Sequence, residues 1–148
     1  MIIYCDGSSR GNPGKGGYGV VVLNDSEQLV TKYSKQEDNV TNNQMELKAI
    51  LYALIHYGEN PNVPIIYTDS AYCHNTLTKW MDDWAARGWK KADKKTPENL
   101  SLIQAFYFLK QHGYRMDLRK CTGHNGHKWN EMADRLATGK EPKDKNEI

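Results

Sequence analysis

The sequence predicts one α/β domain on a five-stranded mixed sheet, three strands antiparallel and two parallel, covered by helices on both faces. A chain of 148 residues fits one domain, since domains contain roughly 100–200 residues. Its N-terminal part holds three short strand-like segments separated by turn residues, which is typical of an antiparallel meander. The remainder alternates helical periodicity with short apolar runs, as crossover-connected parallel strands do.

The three N-terminal segments form the predicted meander. Residues 1–6 are nearly all apolar, which indicates a central strand, and residues 18–24 are rich in β-branched side chains. Residues 29–35 alternate apolar and polar side chains, as an edge strand does. The glycine-rich segment GNPGKGG between the first two strands is predicted to be a flexible hairpin connection.

The second part of the chain predicts four helices and two more strands. The first helix ends near Gly58, because Leu47, Ile50, Leu51 and Leu54 recur at helical spacing before it. The other predicted elements are a buried strand at 63–68, a helix at 70–84, a loop at 87–97, a helix at 98–111, a strand at 114–120 and a helix at 128–138. The folded domain is therefore expected to span residues 1–139, and residues 140–148, which lack apolar periodicity, to be a disordered tail.

The composition excludes several classes of protein. Hydrophobic residues make up 39% and charged residues 26%, which is incompatible with a disordered chain. A net charge of +2 is too small to indicate nucleic-acid binding without an uneven distribution. No run approaches the roughly 18 apolar residues of a membrane span, and no signal peptide is recognisable. Three cysteines without a CxxC pair favour a reducing cytoplasm, so a cytoplasmic protein with no membrane partner is expected.

Two short motifs suggest ligands that their context does not support. Gly14, Gly16 and Gly19 spell the dinucleotide-binding pattern G-x-G-x-x-G, but a strand follows where that fold requires a helix. Cys121, His124 and His127 could supply three zinc ligands, whereas a structural zinc site requires four. Neither motif predicts a function here.

Four carboxylates point to a different chemistry. Asp6 and Asp69 each end an apolar strand, where ligands bind in open α/β sheets, although Asp69 could also cap the following helix. Glu46 lies on a helical stripe that should face the core, where an unpaired charge costs several kcal/mol. Asp134 alone would be assigned to a solvated helix face. Together, the four favour a hard divalent cation, Mg²⁺ or Mn²⁺.

At this point the sequence resembles the ribonucleases H of the bacterial type 1 group. The resemblance runs from about Ile2 to Ala137. The motifs that carry it, in order, are Asp6-Gly7-Ser8 with Gly11-Asn12-Pro13-Gly14, Thr41-Asn42-Asn43-Gln44-Met45-Glu46-Leu47, Thr68-Asp69-Ser70, and Gly123-His124-Asn125-Gly126-His127 with Asn130-Glu131 and Asp134. It implies a ribonuclease H-like fold and a two-metal endonuclease that cleaves the RNA strand of an RNA–DNA hybrid without sequence preference.

The resemblance also implies the roles of the carboxylates. Asp6 would bridge two Mg²⁺ ions, with Mn²⁺ as a possible substitute, and Glu46 and Asp69 would complete the ion nearer the leaving 3′ oxygen. Asp134 would hold the ion that lowers the pKa of the attacking water, so that the products carry a 5′-phosphate and a 3′-hydroxyl. Two further residues match family positions near the metals: His124, for proton transfer or product departure, and Glu131, close enough to tune the ions.

The substrate contacts follow from the same resemblance. Ser9, Gly11, Asn42 and Asn43 match positions that detect the 2′-hydroxyl of RNA, and Thr41 and Asn99 match a pocket for a DNA-strand phosphate. Asn12 and Gln44 belong to the same motifs and are included among the expected contacts.

A basic segment supports a nucleic-acid partner independently of the resemblance. Arg87, Lys90, Lys91, Lys94 and Lys95 stand against Asp93 alone, a local charge of +4, with Trp80, Trp84 and Trp89 in or beside it. The alternative is a solvated loop on a base packed by Trp80 and Trp84. In the family, this segment is the protrusion that holds the DNA strand.

The sequence also departs from its relatives. Ala71 stands where many relatives have a longer side chain that reaches the minor groove, and Ala85 and Ala86 make the protrusion less basic than in some of them. No separate hybrid-binding module is present, so low processivity is expected from a monomer with no obligatory protein partner.

Two rival interpretations remain open. The first is a junction resolvase or transposase-type nuclease, which lacks the GHNGH loop combined with the protrusion. The second is an inactive hybrid-binding module, which the four carboxylates disfavour.

Overall fold

A computed structural model describes residues 1–121 and 127–140. Within them, one five-stranded sheet has the order β3-β2-β1-β4-β5. The strands are β1 Ile2–Gly11, β2 Gly14–Leu23, β3 Leu29–Val40, β4 Ile65–Thr68 and β5 Asp117–Lys120. The first three pair antiparallel, whereas β4 pairs parallel with both β1 and β5. The predicted sheet of three antiparallel and two parallel strands is confirmed.

The helices lie on both faces of this sheet. They are α1 Asn42–Tyr57, α2 Ala71–Asn75, α3 Met81–Ala86, α4 Leu100–Gln111 and α5 Lys128–Ala137, with a π-helical turn at Thr76–Trp80 between α2 and α3. A capping box begins α1: the Thr41 hydroxyl accepts from the backbone N–H of Gln44 at 3.2 Å, and the Gln44 side-chain oxygen accepts from that of Thr41 at 2.9 Å. The cap fixes the start of the helix that carries Glu46.

Two apolar cores follow from the alternation of side chains along β1. Ile3 and Cys5 face α1 and α4 in the larger core, which also contains Phe106. Tyr4 faces the opposite side, where Leu136 of α5 packs with it. The sheet is therefore held between α1 on one face and α5 on the other, and both helices reach the strand that carries Asp6.

The glycine-rich hairpin connection is shorter than its sequence predicts. The paired strands β1 and β2 run through Gly11 and Gly14, so the connection contains only Asn12 and Pro13. The predicted hairpin is present, but most of its glycines form strand, and a Cβ atom on Gly17 would lie 2.6 Å from the carbonyl oxygen of Ala137 in α5.

Several element boundaries also differ from the predicted ones, among them the end of β3 at Val40 instead of residue 35 and the start of β4 at Ile65 instead of residue 63. The predicted helix at 70–84 is interrupted by the π-helical turn. Helix α4 begins two residues later than expected because Asn99 is left-handed, with φ 58°. Strand β5 begins only at Asp117, since the backbone N–H groups of Tyr114 and Arg115 donate to Leu109 and Gly58 instead of a strand.

Among the residues that the structure describes, no helix is long and apolar enough to cross a membrane. The predicted tail lies outside the described residues except for Lys140, whose backbone N–H donates to the carbonyl of Arg135 at 2.8 Å.

Candidate active site

Three of the four predicted carboxylates meet at one point. Asp6 lies on β1, Glu46 on α1 and Asp69 immediately after β4, and one oxygen from each lies within 4.8 Å of the others. Asp6 and Glu46 are each 4% exposed, and Asp69 is partly exposed. The parallel pairing that ends at Cys5 and Thr68 brings Asp6 and Asp69 to neighbouring positions on adjacent strands.

Close contact between β1 and α1 places Glu46 in this cluster. A Cβ atom on Gly7 would lie 2.3 Å from the backbone nitrogen of Glu46, so only glycine permits this approach. The Gly7 N–H donates to the Glu46 carboxylate. The Asp-Gly pair of the first motif therefore supplies both a carboxylate and the space for its neighbour.

Asp134 approaches Asp6 from the opposite face of the sheet. Its carboxyl contributes to the raised pKa of Asp6, and it is partly buried on α5, outside the set of three carboxylates whose oxygens lie within 4.8 Å of one another. Gly19 pairs with Asp6 across the strands, and a Cβ atom there would lie 2.5 Å from the carbonyl oxygen of Ala133. The missing side chain lets α5 approach β2, which brings Asp134 to Asp6 rather than to the solvated face that its helical position alone favours.

Burial and the neighbouring carboxyl groups raise the pKa values of Asp6 and Glu46. Burial raises the pKa of Asp6 from 3.8 to about 7; the hydrogen bond with Glu46 opposes that rise, and the charges of Asp69 and Asp134 add to it. Burial also raises the pKa of Glu46 well above its ordinary value, and the hydrogen bond to Asp6 acts in the same direction. Without a cation, both carboxyl groups are therefore protonated more readily than free carboxyl groups.

The donor set fits a hard divalent cation. Converging carboxylate oxygens are the ligands that Mg²⁺ and Mn²⁺ prefer, and a cation among them would stabilise the ionised carboxylates against the burial and repulsion that raise these pKa values. Among the described residues, no other set of three acidic, histidine or cysteine ligands converges in this way. Glu131, which the family resemblance places near the metals, lies exposed on α5 outside this set.

A polar groove contains half of the residues expected to contact substrate. It encloses about 660 Å³ and is lined by Ser9, Asn12, Thr41, Asn42, Asn43, Glu98 and Asn99. Asn12 organises it: its side-chain oxygen accepts from the Ser9 hydroxyl at 2.9 Å and from the backbone N–H of Asn42 at 2.8 Å. The first two motifs are thereby joined at the N-terminus of α1.

A second groove of about 540 Å³ follows the π-helical turn and α3. Tyr72, Trp80, Trp84, Arg87 and Lys91 line it together with Asp83, Ala92 and Glu98, and Glu98 is shared with the polar groove. The rings of Trp80 and Trp84 lie 5.8 Å apart, and Trp80 is 43% exposed. The two packed Trp rings therefore lie beside Arg87 and Lys91 in a wall that also contains acidic residues, and the Arg87 guanidinium lies 3.5 Å from the Asp83 carboxylate.

Several expected contact residues lie elsewhere. Gly11, Gln44 and Lys90 line neither groove: Gln44 caps α1, and the Lys90 ammonium donates to the Thr96 hydroxyl at 3.1 Å. Ala71 is exposed at the start of α2. His124 lies outside the described residues.

The structure gives His127, one of the three possible zinc ligands, other hydrogen-bond partners. His127 is the N-cap of α5, where its Nδ1 accepts from the backbone N–H of Asn130 at 3.4 Å. Its Nε2 lies 3.3 Å from the hydroxyl oxygen of Tyr4. Both ring nitrogens therefore have protein partners.

Sequence reasoning missed two residues of the site. Glu98 joins the two grooves, and its position beside Asn99 in the loop before α4 was the only available signal. Gly19 was considered only as part of the dinucleotide pattern, whereas it makes room for α5.

Comparison with known proteins identifies the class. The family model described as RNase H matches residues 1–141. A ribonuclease H of Cupriavidus necator is 42% identical over 137 residues, covering 93% of this chain and 92% of that protein. The crystal structure of LC9-RNase H1, a type 1 RNase H with the type 2 active-site motif, is 31% identical with a TM-score of 0.76 and covers 93% of this chain and 70% of that one.

A third comparison concerns the fold. The crystal structure of LC11-RNase H1 in complex with an RNA/DNA hybrid has a TM-score of 0.70 at 22% identity, covering 93% of this chain and 94% of that one. The matches define the class as endonuclease hydrolases. The chain belongs to the ribonuclease H family.

Proposed function

We propose that this protein hydrolyses the RNA strand of RNA–DNA hybrids, without sequence preference, and leaves 5′-phosphate and 3′-hydroxyl ends. The observation that carries the proposal is the cluster of Asp6, Glu46 and Asp69 beside the polar groove. The cluster offers cation ligands, and the groove offers hydroxyl and amide groups at the same edge of the sheet. LC11-RNase H1, which has this fold, was crystallised with an RNA/DNA hybrid.

The four carboxylates would hold two Mg²⁺ ions in the presence of substrate, with Mn²⁺ as a substitute. Asp6 would contribute to holding both ions, because its carboxyl interacts with those of Glu46, Asp69 and Asp134. The bound ions would supply Lewis-acid stabilisation of the phosphate and lower the pKa of the attacking water. The protein's contribution is to fix these oxygens on four separate elements, so that little reorganisation is required during the reaction.

We assign proton transfer or product departure to His124. It lies between Gly123 and Gly126 in the sequence. A side chain flanked by glycines suits a step in which it approaches the reacting group and leaves it again in each turnover. Glu131, exposed on α5 one turn before Asp134, would adjust the local field at the ions.

The polar groove would distinguish RNA from DNA. The 2′-hydroxyl both donates and accepts a hydrogen bond, and Ser9, Asn42 and Asn43 offer short groups of both kinds, with Gly11 at the end of the same strand. Thr41 and Asn99 would bind a phosphate of the DNA strand: the Thr41 hydroxyl can donate while it caps α1, and Asn99 keeps a second N–H while it donates to Tyr72 at 3.0 Å. The positive end of the α1 dipole favours an anion at the same place.

The second groove would hold the DNA strand farther from the cleavage point. Trp80 and Trp84 offer apolar surface to sugars, and Arg87 and Lys91 offer charge to phosphates. Lys90 extends the same basic segment. Such contacts position a duplex without reading its sequence.

We also propose a cytoplasmic monomer whose catalytic domain spans residues 1–139 and which needs no obligatory protein partner. All three cysteines are free, as in a reducing compartment. The carboxylates and both grooves come from this one chain, so the site needs no residue from a second copy.

A substrate panel tests the proposal. The protein should cleave a labelled RNA–DNA hybrid in Mg²⁺ but leave duplex DNA, branched DNA and duplex RNA intact, and a chelator should stop the reaction. Asp69→Asn should lose cleavage by at least about 100-fold while still binding the hybrid, because positioning depends on phosphate contacts. Cleavage of branched DNA in preference to the hybrid would instead identify a junction-resolving enzyme.

A further inference from the structure

Three aromatic rings lie behind the carboxylates and connect the elements that carry them. Tyr67 is two residues before Asp69, and Tyr4 is two residues before Asp6, its partner across the parallel pair. The rings of Tyr4 and Tyr67 are stacked, with centroids 4.9 Å apart and an interplanar angle of 14°. His127, the N-cap of α5, lies against Tyr4 with the same centroid separation.

A hydrogen-bond chain runs through the same rings. Since Nδ1 of His127 accepts from the backbone N–H of Asn130, the proton of the neutral imidazole must be on Nε2. Nε2 then donates to the hydroxyl oxygen of Tyr4 at 3.3 Å. Tyr4 is 5% exposed and is held on its strand in the smaller core, so the bond attaches the first turn of α5 to a rigid point of the sheet.

This attachment complements the contact at Gly19. The backbone of Ala133 against Gly19 fixes how closely α5 approaches β2. The C-terminal end of α5 is held as well, since the Ser34 hydroxyl donates to the carbonyl of Leu136 at 2.6 Å and the Gln36 amide donates to that of Ala137 at 3.1 Å. The bond to Tyr4 instead holds the first turn of the helix. Asp134 is seven residues after His127, about two helical turns, so both lie on the same side of α5, and a shift of the first turns would displace the Asp134 carboxyl from Asp6.

We infer that Tyr4 and His127 are positioning residues that hold Asp134 in register with Asp6 through α5. This inference rests on the proposed function, because it gives Asp134 a part in metal binding. The consequence is specific: loss of the Tyr4–His127 bond should weaken magnesium binding and leave hybrid binding unaffected, since neither residue lines a groove.

The test compares four variants with the parent. Tyr4→Phe removes only the hydroxyl. His127→Asn keeps an N-capping oxygen but loses the bond to Tyr4, and His127→Ala loses both. Tyr33→Phe is the matched control, because Tyr33 is also stacked on a tyrosine, Tyr52, at 4.1 Å but packs with the other core. The measurements are the magnesium dissociation constant of the free protein by calorimetry, the magnesium concentration for half-maximal cleavage, the KM for hybrid, and the Tm.

Tyr4→Phe and His127→Asn should raise both the magnesium dissociation constant and the magnesium concentration for half-maximal cleavage about 3- to 10-fold, with KM for the hybrid unchanged. Loss of a group bonded directly to a metal ligand costs more, roughly 10- to 100-fold in metal affinity. Tyr33→Phe should match the parent. His127→Asn should recover the Tm that His127→Ala loses without recovering magnesium affinity. If it recovers both, or if Tyr4→Phe keeps the parent's magnesium values, His127 only caps the helix and the inference is wrong. A parent that binds magnesium but does not cleave the hybrid would contradict the proposed function, while the dissociation constants still test the inference.

Discussion

Replacing Asp6 by Asn should stabilise the metal-free protein while abolishing its activity. Burial, together with the charges of Asp69 and Asp134, raises the pKa of Asp6 from 3.8 in the unfolded chain to about 7 in the fold. Asp6 is protonated in both states below about pH 4, so it costs the folded state nothing there. Between pH 4 and 7 the unfolded chain ionises while the folded protein does not, and the parent therefore loses stability as the pH rises through this window.

The size of the effect follows from that pKa difference. A rise from 3.8 to about 7 corresponds to a cost on the order of 4 kcal/mol above pH 7, at about 1.4 kcal/mol per pH unit. Local relaxation and the coupled Glu46 will reduce it, so Asp6→Asn should gain about 1–3 kcal/mol at pH 8 in chelator and close to nothing at pH 4.

Urea unfolding at pH 4 and pH 8 measures the difference in the free energy of unfolding between parent and variant. The dependence of that free energy on urea concentration is fitted with one slope for both proteins. Magnesium should stabilise the parent and have little effect on Asp6→Asn, because only the parent retains the complete ligand set. A variant that is less stable than the parent at pH 8 in chelator would show that Asp6 is well accommodated without a cation, and the electrostatic reasoning would be refuted.

Other predictions concern packing, substrate contacts and metal choice. Gly19→Ala should cost about 2 kcal/mol or more and reduce cleavage, because its Cβ would meet the α5 backbone; unchanged urea unfolding would contradict this. Changing Lys90, Lys91, Lys94 and Lys95 together to Ala should raise KM and lower its salt slope by about one per lost phosphate contact, whereas an unchanged slope would indicate a merely solvated loop. Ca²⁺ should bind but support little turnover because of its looser coordination. Robust cleavage in Ca²⁺ alone would contradict the proposal that catalysis requires the stricter coordination geometry of Mg²⁺.

The sheet and the cluster were predictable because they depend on local patterns. Apolar runs, alternation and turn residues identify the strands, and strand-end positions in a parallel pair bring Asp6 and Asp69 together whatever the rest of the chain does. Glu46 was identified because a charge on a core-facing stripe needs a partner. Each of these inferences requires only short-range sequence information.

The missed features depend on contacts between distant segments. Whether Gly19 is a loop glycine or a packing glycine depends on a helix more than 100 residues later. The same holds for the Tyr4–His127 contact, which joins residues 123 apart. Asp134, whose helical position alone favours solvent, was assigned to the site only through the family resemblance. Periodicity also cannot detect the π-helical turn, because one extra residue per turn leaves the apolar pattern of a short helix almost intact.

The most direct test of the account is cleavage of a hybrid in water enriched in ¹⁸O, with mass spectrometry of every product strand. Activation of water at the carboxylate cluster predicts one ¹⁸O atom in each new 5′-phosphate, unlabelled 3′-hydroxyl ends and an intact DNA strand. Products that end in 2′,3′-cyclic phosphate would mean that the 2′-hydroxyl rather than water attacks, and a labelled 3′-phosphate would mean that the bond to the 5′ oxygen is the one that breaks. The proposed role of the four carboxylates would then be wrong.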